Sequence, residues 1–142
     1  MTKSPDLSIV ILYYNSKEYL DKCLSSLIKS KLGKYQIETI VVNNGAIDSI
    51  TARAEKKFDS NKIINPIFVY SAKNLGFAAG NNFGLKHLHP KSRYVLFLND
   101  DTVVFPDTLK KMLDFFEGDS GIDAATGYTT LAGTGTLAPE SH

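Results

Sequence analysis

Four short runs of mostly apolar residues, separated by segments of helical periodicity, constrain the fold of this chain more than any other feature. The runs are LSIVILYY, IETIVVN, PIFVYS and RYVLFL, at residues 7–14, 37–43, 66–71 and 93–98. The continuous β-branched character of the first run is typical of a strand covered on both faces. Four strands that alternate with helices predict an α/β fold with a mostly parallel sheet and helices on both faces.

The segments between and after these runs have the spacing of amphipathic helices. After the first run, apolar residues recur every three or four positions, at Leu20, Cys23, Leu24, Leu27 and Ile28. This spacing predicts a helix. Further helices are predicted at residues 48–60, at residues 78–88, which Pro90 ends, and after Pro106. A fifth strand is predicted at residues 121–129.

The composition is that of a small soluble protein and excludes several classes. The 142 residues suit one domain with a hydrophobic core. The net charge of +1 predicts no strong electrostatic attraction to nucleic acid or to an anionic membrane. The first apolar run is too short for a membrane span, and the single cysteine, Cys23, makes no disulfide framework. We expect a cytoplasmic protein with no membrane span and no nucleic-acid partner. Peripheral association with the inner face of the membrane is the alternative.

Polar side chains follow every predicted strand. After the four strands come, in turn, Tyr14-Asn15-Ser16, Asn43-Asn44-Gly45, the segment 72–82 and Asn99-Asp100-Asp101. The carboxyl ends of parallel strands share one edge of the sheet, where ligands bind in such folds. These four segments therefore form a common rim. Turn formation explains Asn, Asp and Gly in any one loop, but all four loops together favour a ligand site.

Asp100 and Asp101 are adjacent carboxylates at the end of a strand that reads as buried, where they repel each other and resist burial. A divalent cation relieves this repulsion, and oxygen ligands suit Mg²⁺ or Mn²⁺. Such cations commonly bind through one or two carboxylates together with substrate phosphates. The pair therefore predicts a metal–phosphate site, and a surface turn is the alternative.

Other phosphate motifs are absent or incomplete. The sequence has no G-x-x-x-x-G-K-[ST] loop, and no strand clearly precedes GTGTLA at residues 133–138, a formal match to the dinucleotide fingerprint. NDDTVV resembles the haloacid-dehalogenase phosphatase motif, but Asn99 stands at the nucleophile position. An amide cannot form the aspartyl-phosphate that this chemistry needs. The phosphatase interpretation is therefore set aside.

Four segments together resemble the successive motifs of family-2 glycosyltransferases: SIVILYYNSKEYLDKCLSSL, IETIVVNNG, KNLGFAAGNNFGL and YVLFLNDDTVVFPDTLKKM. The resemblance covers about residues 7–128 and is nearest to bacterial rhamnosyltransferase-like and cell-surface polysaccharide enzymes. It implies the GT-A fold, a Rossmann-like nucleotide-sugar-binding fold, here in a truncated form. It also implies metal-dependent transfer, with inversion, from a UDP-, GDP- or dTDP-sugar to a glycan or polysaccharide acceptor.

The resemblance implies roles for the acidic motif and for the second loop. NDD stands where the family has Asp-x-Asp. Asp101 would coordinate the Mn²⁺ or Mg²⁺ that bridges the donor diphosphate, and Asp100 would lie near the ribose or phosphates. Asn99 is a variant of the first Asp of the motif. VVNNG matches the family's V-V-D-[DN]-G, so Asn44 stands where a side chain contacts the nucleobase.

The remaining loops would lie against the nucleotide in the same family. Tyr14 and Asn15 sit on the loop beside the base. NLGFAAGNN matches the loop and helix start next to the nucleotide. In that segment Asn74 would supply a polar contact, and Gly76 and Gly80 would permit close approach of the backbone.

The resemblance leaves the catalytic base unidentified. In the family it lies well downstream of the metal motif, and Asp119, Asp123 and Glu140 stand in no recognisable base motif. We predict a donor-binding domain at residues 1–128 and a tail at residues 129–142, disordered or forming an edge strand. Two functions remain open. One is the donor-binding part of a glycosyltransferase, inactive alone or completed by a partner chain, with self-association into a homo-oligomer through the apolar surface that a truncated sheet exposes. The other is a non-catalytic nucleotide-binding, metal-binding or interaction module.

Overall fold

The computed structural model describes residues 4–16 and 19–127. Strands and helices alternate along this part of the chain. In order, the elements are β1 (Leu7–Tyr13), α1 (Tyr19–Ile28), β2 (Ile37–Asn43), α2 (Ile50–Phe58), β3 (Pro66–Tyr70), α3 (Phe77–Leu85), β4 (Tyr94–Asn99) and α4 (Thr108–Gly118). The predicted alternation is confirmed, and the observed bounds lie within a few residues of the predicted ones.

The four strands are parallel and pair in the order β3-β2-β1-β4. β1 pairs with β2 along its whole length, and Leu12 of β1 lies opposite Asn99 at the end of β4. The chain therefore builds from β1 outward to β3 and then returns to place β4 on the other side of β1. This reversal creates a switch point between β1 and β4, which is where open α/β sheets bind ligands.

Helix α3 lies unusually close to the sheet because it carries glycines on its inner face. A Cβ atom on Gly84 would lie 2.6 Å from Cγ1 of Val10 and 2.9 Å from Cγ2 of Val42. Val10, Ile40 and Val42 form the buried core on this face, and Phe83 packs against them. The glycines lower the intrinsic helix propensity of the segment. Because they have no Cβ, the helix backbone can approach β1 and β2 closely.

The opposite face of the sheet is also covered by helices, as predicted. Successive side chains along a strand point to opposite faces, so Ile9, Ile11 and Val41 lie on the face away from α3, and all three are fully buried. α1 contacts α2, and Leu24 and Leu27 are among the buried side chains of α1. The α/β architecture with helices on both faces is therefore confirmed.

Strand β4 is an edge strand of the described sheet, so the prediction that it is buried is wrong. Val95 and Phe97 are 44% and 50% exposed. The register pairs Phe97 with Val10, which places it on the same face as α3, but α3 packs over β1 and β2. An apolar run predicts a strand, but it does not show whether a neighbouring element covers that strand.

The predicted fifth strand is wrong over its described part, because residues 121–127 form no strand. Asp, Ala and Gly make up most of this segment and have low strand propensity. All of its residues except Ile122 are exposed, so there is no buried face to pair. The rest of the predicted strand and the predicted tail lie outside the described residues.

The chain divides into two compact units, Met1–Lys110 and Lys111–His142. The first contains the whole sheet and all four rim loops. No helix within residues 4–16 and 19–127 is long and apolar enough to cross a membrane.

Candidate functional site

The loops that follow β1 and β4 meet at the rim. Because Leu12 pairs with Asn99, Asp100 comes beside the segment that follows β1. The hydroxyl of Ser16 donates a hydrogen bond to the Asp100 carboxylate. From α1, the thiol of Cys23 lies 3.8 Å from the backbone oxygen of Asn99. The structure thus brings the acidic motif and the first rim loop together.

The two carboxylates differ in their surroundings. Asp100 is partly buried and Asp101 is exposed, as is Asn99. Burial raises the pKa of the Asp100 carboxyl, the hydrogen bond from Ser16 lowers it, and the charge of Asp101 raises it again. Burial also raises the pKa of the Cys23 thiol to about 12, with further increases from both carboxylates. The thiol is therefore neutral at neutral pH.

The acidic pair fits a hard divalent cation. Within residues 4–16 and 19–127, no lysine or arginine forms an ion pair with Asp100 or Asp101. In the same part of the chain, no group of three or more His, Cys, Asp or Glu side chains could hold a metal ion. Two carboxylates that form no ion pair among the described residues suit Mg²⁺ or Mn²⁺, since these ions complete their coordination with water and phosphate oxygens. The assignment of Asp101 as a metal ligand stays a prediction.

Asn43 organises the loop between β2 and α2. Its side-chain amide donates to Oγ1 of Thr51 at 2.7 Å and to the backbone oxygen of Ala46 at 3.2 Å. Its side-chain oxygen accepts from the backbone N–H of Ala46 at 2.7 Å. Asn43 is 4% exposed, so this amide is satisfied inside the protein.

Asn44 points the other way, toward the loop between β3 and α3. It is 2% exposed, and its carboxamide is hydrogen-bonded to Asn74, Leu75 and Gly76. The structure therefore brings Asn44, Asn74 and Gly76 together, as expected for one site. The predicted contact of Asn44 with a nucleobase stays a prediction. In the structure the side chain forms hydrogen bonds with the loop between β3 and α3.

The two glycines predicted to approach the nucleotide have different environments. Gly76 is exposed with φ of 79°, and no atom lies within 4 Å of the position of a Cβ. Gly80 is buried in α3, where a Cβ would lie 2.6 Å from Cδ1 of Leu12 and 3.1 Å from Nδ2 of Asn44. Gly76 therefore faces open space at the rim, whereas Gly80 allows α3 to pack against the sheet.

Tyr14 and Asn15 lie at the rim as predicted from their position after β1. Tyr14 is 46% exposed, so its ring is accessible. Asn15 is exposed and has φ of 56°, a left-handed conformation that Asn tolerates better than most residues. Both side chains are thus available to a ligand, and their contacts with a base stay predictions.

The sequence placed Ser16 on the rim but did not predict its contact with Asp100, and it did not predict a role for Asp48. The hydroxyl of buried Tyr13 donates to Oδ2 of Asp48 at 2.6 Å, while Oδ1 of Asp48 accepts from the backbone N–H of Ile50 at 2.8 Å. Asp48 thereby ties the end of β1 to the start of α2. An Asp just before a helical segment signals a helix start, but its pairing with Tyr13 depends on the tertiary fold.

A parallel α/β sheet with polar side chains at its switch point defines the class of Rossmann-like α/β proteins, which bind their ligands at that point. The model of the family described as Glycosyl transferase family 2 matches residues 8–140. The chain belongs to glycosyl transferase family 2.

Similarity to individual proteins is consistent with membership of this family. The chain is similar to the minor teichoic acid biosynthesis protein GgaA of Bacillus subtilis (strain 168), with 32% identity over 110 residues. The match covers 77% of this chain and 24% of GgaA. This chain therefore spans about a quarter of the length of that relative.

Solved structures confirm the GT-A fold. S. aureus TarS 1-349 in complex with UDP-GlcNAc matches with a TM-score of 0.69 and 28% identity, covering 80% of this chain and 31% of that chain. Mannosyltransferase PcManGT from Pyrobaculum calidifontis, in complex with GDP-Man and Mn²⁺, matches with a TM-score of 0.67 and 17% identity. That match covers 81% of this chain and 33% of PcManGT and is a likeness of fold.

Proposed function

We propose that this chain forms the nucleotide-sugar donor site of a glycosyltransferase, with the donor-binding domain at residues 1–128. The observation that carries the proposal is the position of Asp100 and Asp101 at the switch point between β1 and β4. There they have no ion-pair partner among the described residues. Family membership supports the reaction class. The similarity to TarS, solved with UDP-GlcNAc, supports a nucleoside-diphosphate sugar as the ligand.

The rim residues would contact different parts of the ligand. Asp101 would hold Mn²⁺ or Mg²⁺, and Asp100, oriented by Ser16, would lie beside the ribose or the phosphates. The exposed ring of Tyr14 offers a surface for the base, because base–aromatic stacking needs an accessible ring face. A bound divalent cation supplies positive charge that stabilises the departing diphosphate.

The sugar would pass to a glycan or polysaccharide acceptor with inversion at its anomeric carbon. The acceptor class draws support from the similarity to GgaA, a teichoic acid biosynthesis protein. We assign the catalytic base to no residue of this chain. The proposal for residues 4–16 and 19–127 is therefore limited to donor binding.

Calorimetry tests donor binding directly. UDP, GDP and dTDP are titrated into the protein with and without Mn²⁺. We expect at least one nucleotide to bind, and to bind more tightly with Mn²⁺. Asp101→Ala should weaken binding in Mn²⁺ by about tenfold or more, equivalent to about 1.4 kcal/mol.

Asp59→Ala is the matched control. Asp59 is an exposed carboxylate at the C-terminal end of α2, which leads away from the rim. This variant should bind nucleotide like the unmodified protein. Absence of binding for all three nucleotides would contradict the donor-site proposal. Equal affinity of the Asp101→Ala variant would contradict the metal assignment.

A further inference from the structure

Basic side chains collect at the end of the sheet opposite the rim. Two segments lead into the amino ends of strands there, residues 29–36 before β2 and residues 86–93 before β4, and together we call them the basic end. They contain no Asp or Glu, and their basic side chains are all exposed: Lys29, Lys31, Lys34, Lys86, Lys91 and Arg93. The neighbouring segments 4–6 and 59–65 add one lysine and two carboxylates, so this whole end of the sheet carries a net charge of +5 with His neutral.

Two carboxylates hold the segments of the basic end in place. Oδ2 of Asp6 accepts from the backbone N–H of Gln36 at 2.9 Å, and its Oδ1 lies 4.0 Å from Nη1 of Arg93. Buried Glu38 accepts from the backbone N–H of His89 at 2.7 Å. The lysines of both segments are therefore presented from one hydrogen-bonded surface.

An exposed aromatic ring borders this surface. The backbone N–H of Lys31 donates to the backbone oxygen of Pro106 at 2.7 Å, and the N–H of buried Val104 donates to Oγ of Ser26 at 3.1 Å. Phe105 lies between these two anchored residues and is 69% exposed. The backbone contacts thus hold an apolar side chain in water next to the basic end.

The charge of the rim has the opposite sign. The rim loops at residues 14–16, 44–49, 71–76 and 99–101 contain three carboxylates and one lysine, a net charge of −2. The seven residues of β1 separate the two ends by about 23 Å, well beyond the Debye length of about 8 Å at physiological ionic strength. A charged surface that meets the basic end therefore responds to its local charge, which the net charge of +1 for the whole chain does not reveal.

We propose that the basic end docks this protein on an anionic lipid surface, with the ring of Phe105 entering the headgroup region. Lys and Arg side chains are attracted to such a surface, and an apolar side chain that leaves water adds to the binding. Nucleic acid also attracts lysines, but proteins that bind single strands stack successive bases on several rings. Among residues 29–36, 86–93 and 103–106, Phe105 is the one exposed Phe or Tyr.

The proposed docking also sets the direction of the rim. With the basic end on the bilayer, the strands run away from it, and the rim opens to water about 23 Å further out. A soluble nucleotide would therefore reach the rim from the aqueous side. The docking surface shares no residue with the proposed donor site and does not depend on it.

Vesicle sedimentation tests the docking on the full chain. The vesicles contain either phosphatidylcholine alone or equal parts of phosphatidylcholine and phosphatidylglycerol. We expect binding to the mixed vesicles, little binding to phosphatidylcholine alone, and weaker binding as NaCl is added. Equal binding to both kinds of vesicle, or binding to neither, would overturn the proposal.

Charge reversal locates the surface. Lys31→Glu combined with Lys91→Glu changes one exposed lysine in each segment and should lower the partition coefficient by about tenfold or more, since each basic side chain near such a surface contributes about fivefold. Lys22→Glu combined with Arg53→Glu is the matched control. It changes the net charge equally, at exposed residues in the first turns of α1 and α2, and should bind almost like the unmodified protein. Equal losses in the two double variants would overturn the location.

Conservative variants exclude a loss of folding. Lys31→Arg combined with Lys91→Arg keeps both charges and should bind mixed vesicles like the unmodified protein. Loss of binding in this variant would contradict an electrostatic role for the two lysines.

Phe105→Ala tests the apolar contact. It should lower the partition coefficient by about threefold to tenfold, because only part of the ring leaves water. Phe77→Ala is the control, since Phe77 is 67% exposed at the start of α3, beside the rim, and this variant should bind normally. Unchanged binding of Phe105→Ala would overturn the assignment of Phe105 to the headgroup region.

A single-stranded oligonucleotide tests the other polyanion in the same buffer. Tighter binding of the oligonucleotide than of the mixed vesicles, with the same dependence on Lys31 and Lys91, would overturn the proposal in favour of a nucleic-acid partner. None of these measurements contains a nucleoside diphosphate or Mn²⁺. Failure of the donor-site proposal therefore leaves their outcome unaffected.

Discussion

The hydroxyl of Ser16 donates a hydrogen bond to the carboxylate of Asp100. This contact joins the loop after β1 to the loop after β4, across the switch point of the sheet. Asp100 is partly buried, and burial raises its pKa while the hydrogen bond from Ser16 opposes that change. The contact therefore favours the ionised carboxylate and holds it in one orientation beside Asp101.

Removal of this hydroxyl should weaken the proposed donor site. We expect Ser16→Ala to lower UDP affinity in Mn²⁺ by about threefold to tenfold, because this hydrogen bond acts on the ligand through Asp100 and a typical hydrogen bond contributes about 0.5–1.5 kcal/mol. Calorimetry measures the change. Ser16→Thr keeps a hydroxyl and should recover most of the affinity. Ser60→Ala, at an exposed serine after α2, is the control, and a Ser16→Ala variant with full affinity would show that the contact is dispensable.

The sequence predicted the elements of the fold and the convergence of the rim loops for a physical reason. Parallel strands place all of their carboxyl ends at one edge, so position along the chain is enough to assign Asn44, Asn74 and Asp100 to the same edge. Strand order was not predicted. The placement of β4 beside β1 depends on pairing between residues far apart in sequence, which local patterns do not encode.

The sequence also did not predict which residues the rim side chains contact. The resemblance to family-2 glycosyltransferases implied that Asn44 contacts a base, and this contact stays a prediction. The hydrogen bonds of Asn44 go to Asn74, Leu75 and Gly76, about thirty positions further along the chain. Similarly, the sequence did not predict that Gly80 packs against Leu12, and its approach to a nucleotide stays a prediction. A small or polar residue at the rim can face the ligand or the protein, and only the tertiary structure distinguishes the two.

Gly45 should be among the positions least tolerant of a side chain. Its φ of 80° is unfavourable for other residues, and a Cβ would overlap the backbone of Lys73 and Asn74 at 2.3 and 2.4 Å. We expect Gly45→Ala to lower the free energy of unfolding by about 2 kcal/mol or more, combining left-handed strain with overpacking. Gly118→Ala is the matched control. No atom lies within 4 Å of its Cβ position, and it should be neutral or stabilising by about 0.5 kcal/mol. Urea unfolding compares the two, and equal stabilities would refute the close-packing interpretation.

Glu38 should stabilise the sheet at the end opposite the rim. It is 4% exposed, and its Oε1 accepts from the Ser8 hydroxyl at 2.5 Å and from the His89 backbone N–H at 2.7 Å. Glu38→Ala leaves both donors without this acceptor and should cost about 2–4 kcal/mol of unfolding free energy. Glu38→Gln keeps an acceptor oxygen and should cost less than about 1 kcal/mol. Urea unfolding of both variants distinguishes the loss of the acceptor oxygen from the loss of the charge. A large cost for Glu38→Gln would show that the charge itself stabilises the protein.

Tyr70 should make stability fall with pH in the alkaline range. Its hydroxyl donates to Oε2 of Glu55 at 2.5 Å. Partial desolvation of the hydroxyl, followed by this hydrogen bond and the charge of Glu55, raises the pKa of Tyr70 from 10.0 to about 12. The folded protein therefore keeps the proton after the unfolded chain has lost it. The contribution of Tyr70 is fully present below pH 10.0 and is lost as the pH rises toward about 12.

Tyr70→Phe isolates this contribution from the other groups that titrate at high pH. Unfolding free energies of the unmodified protein and the variant are measured by urea denaturation at several pH values from neutral upward. The difference between them should be constant below pH 10.0 and should shrink above it. Glu55→Gln keeps an acceptor but removes the charge, so the pKa of Tyr70 should rise less; the decline should still begin near pH 10.0 but should end at a lower pH. A difference that stays constant across the whole range would show that the proton of Tyr70 is held no more tightly in the folded state than in the unfolded one.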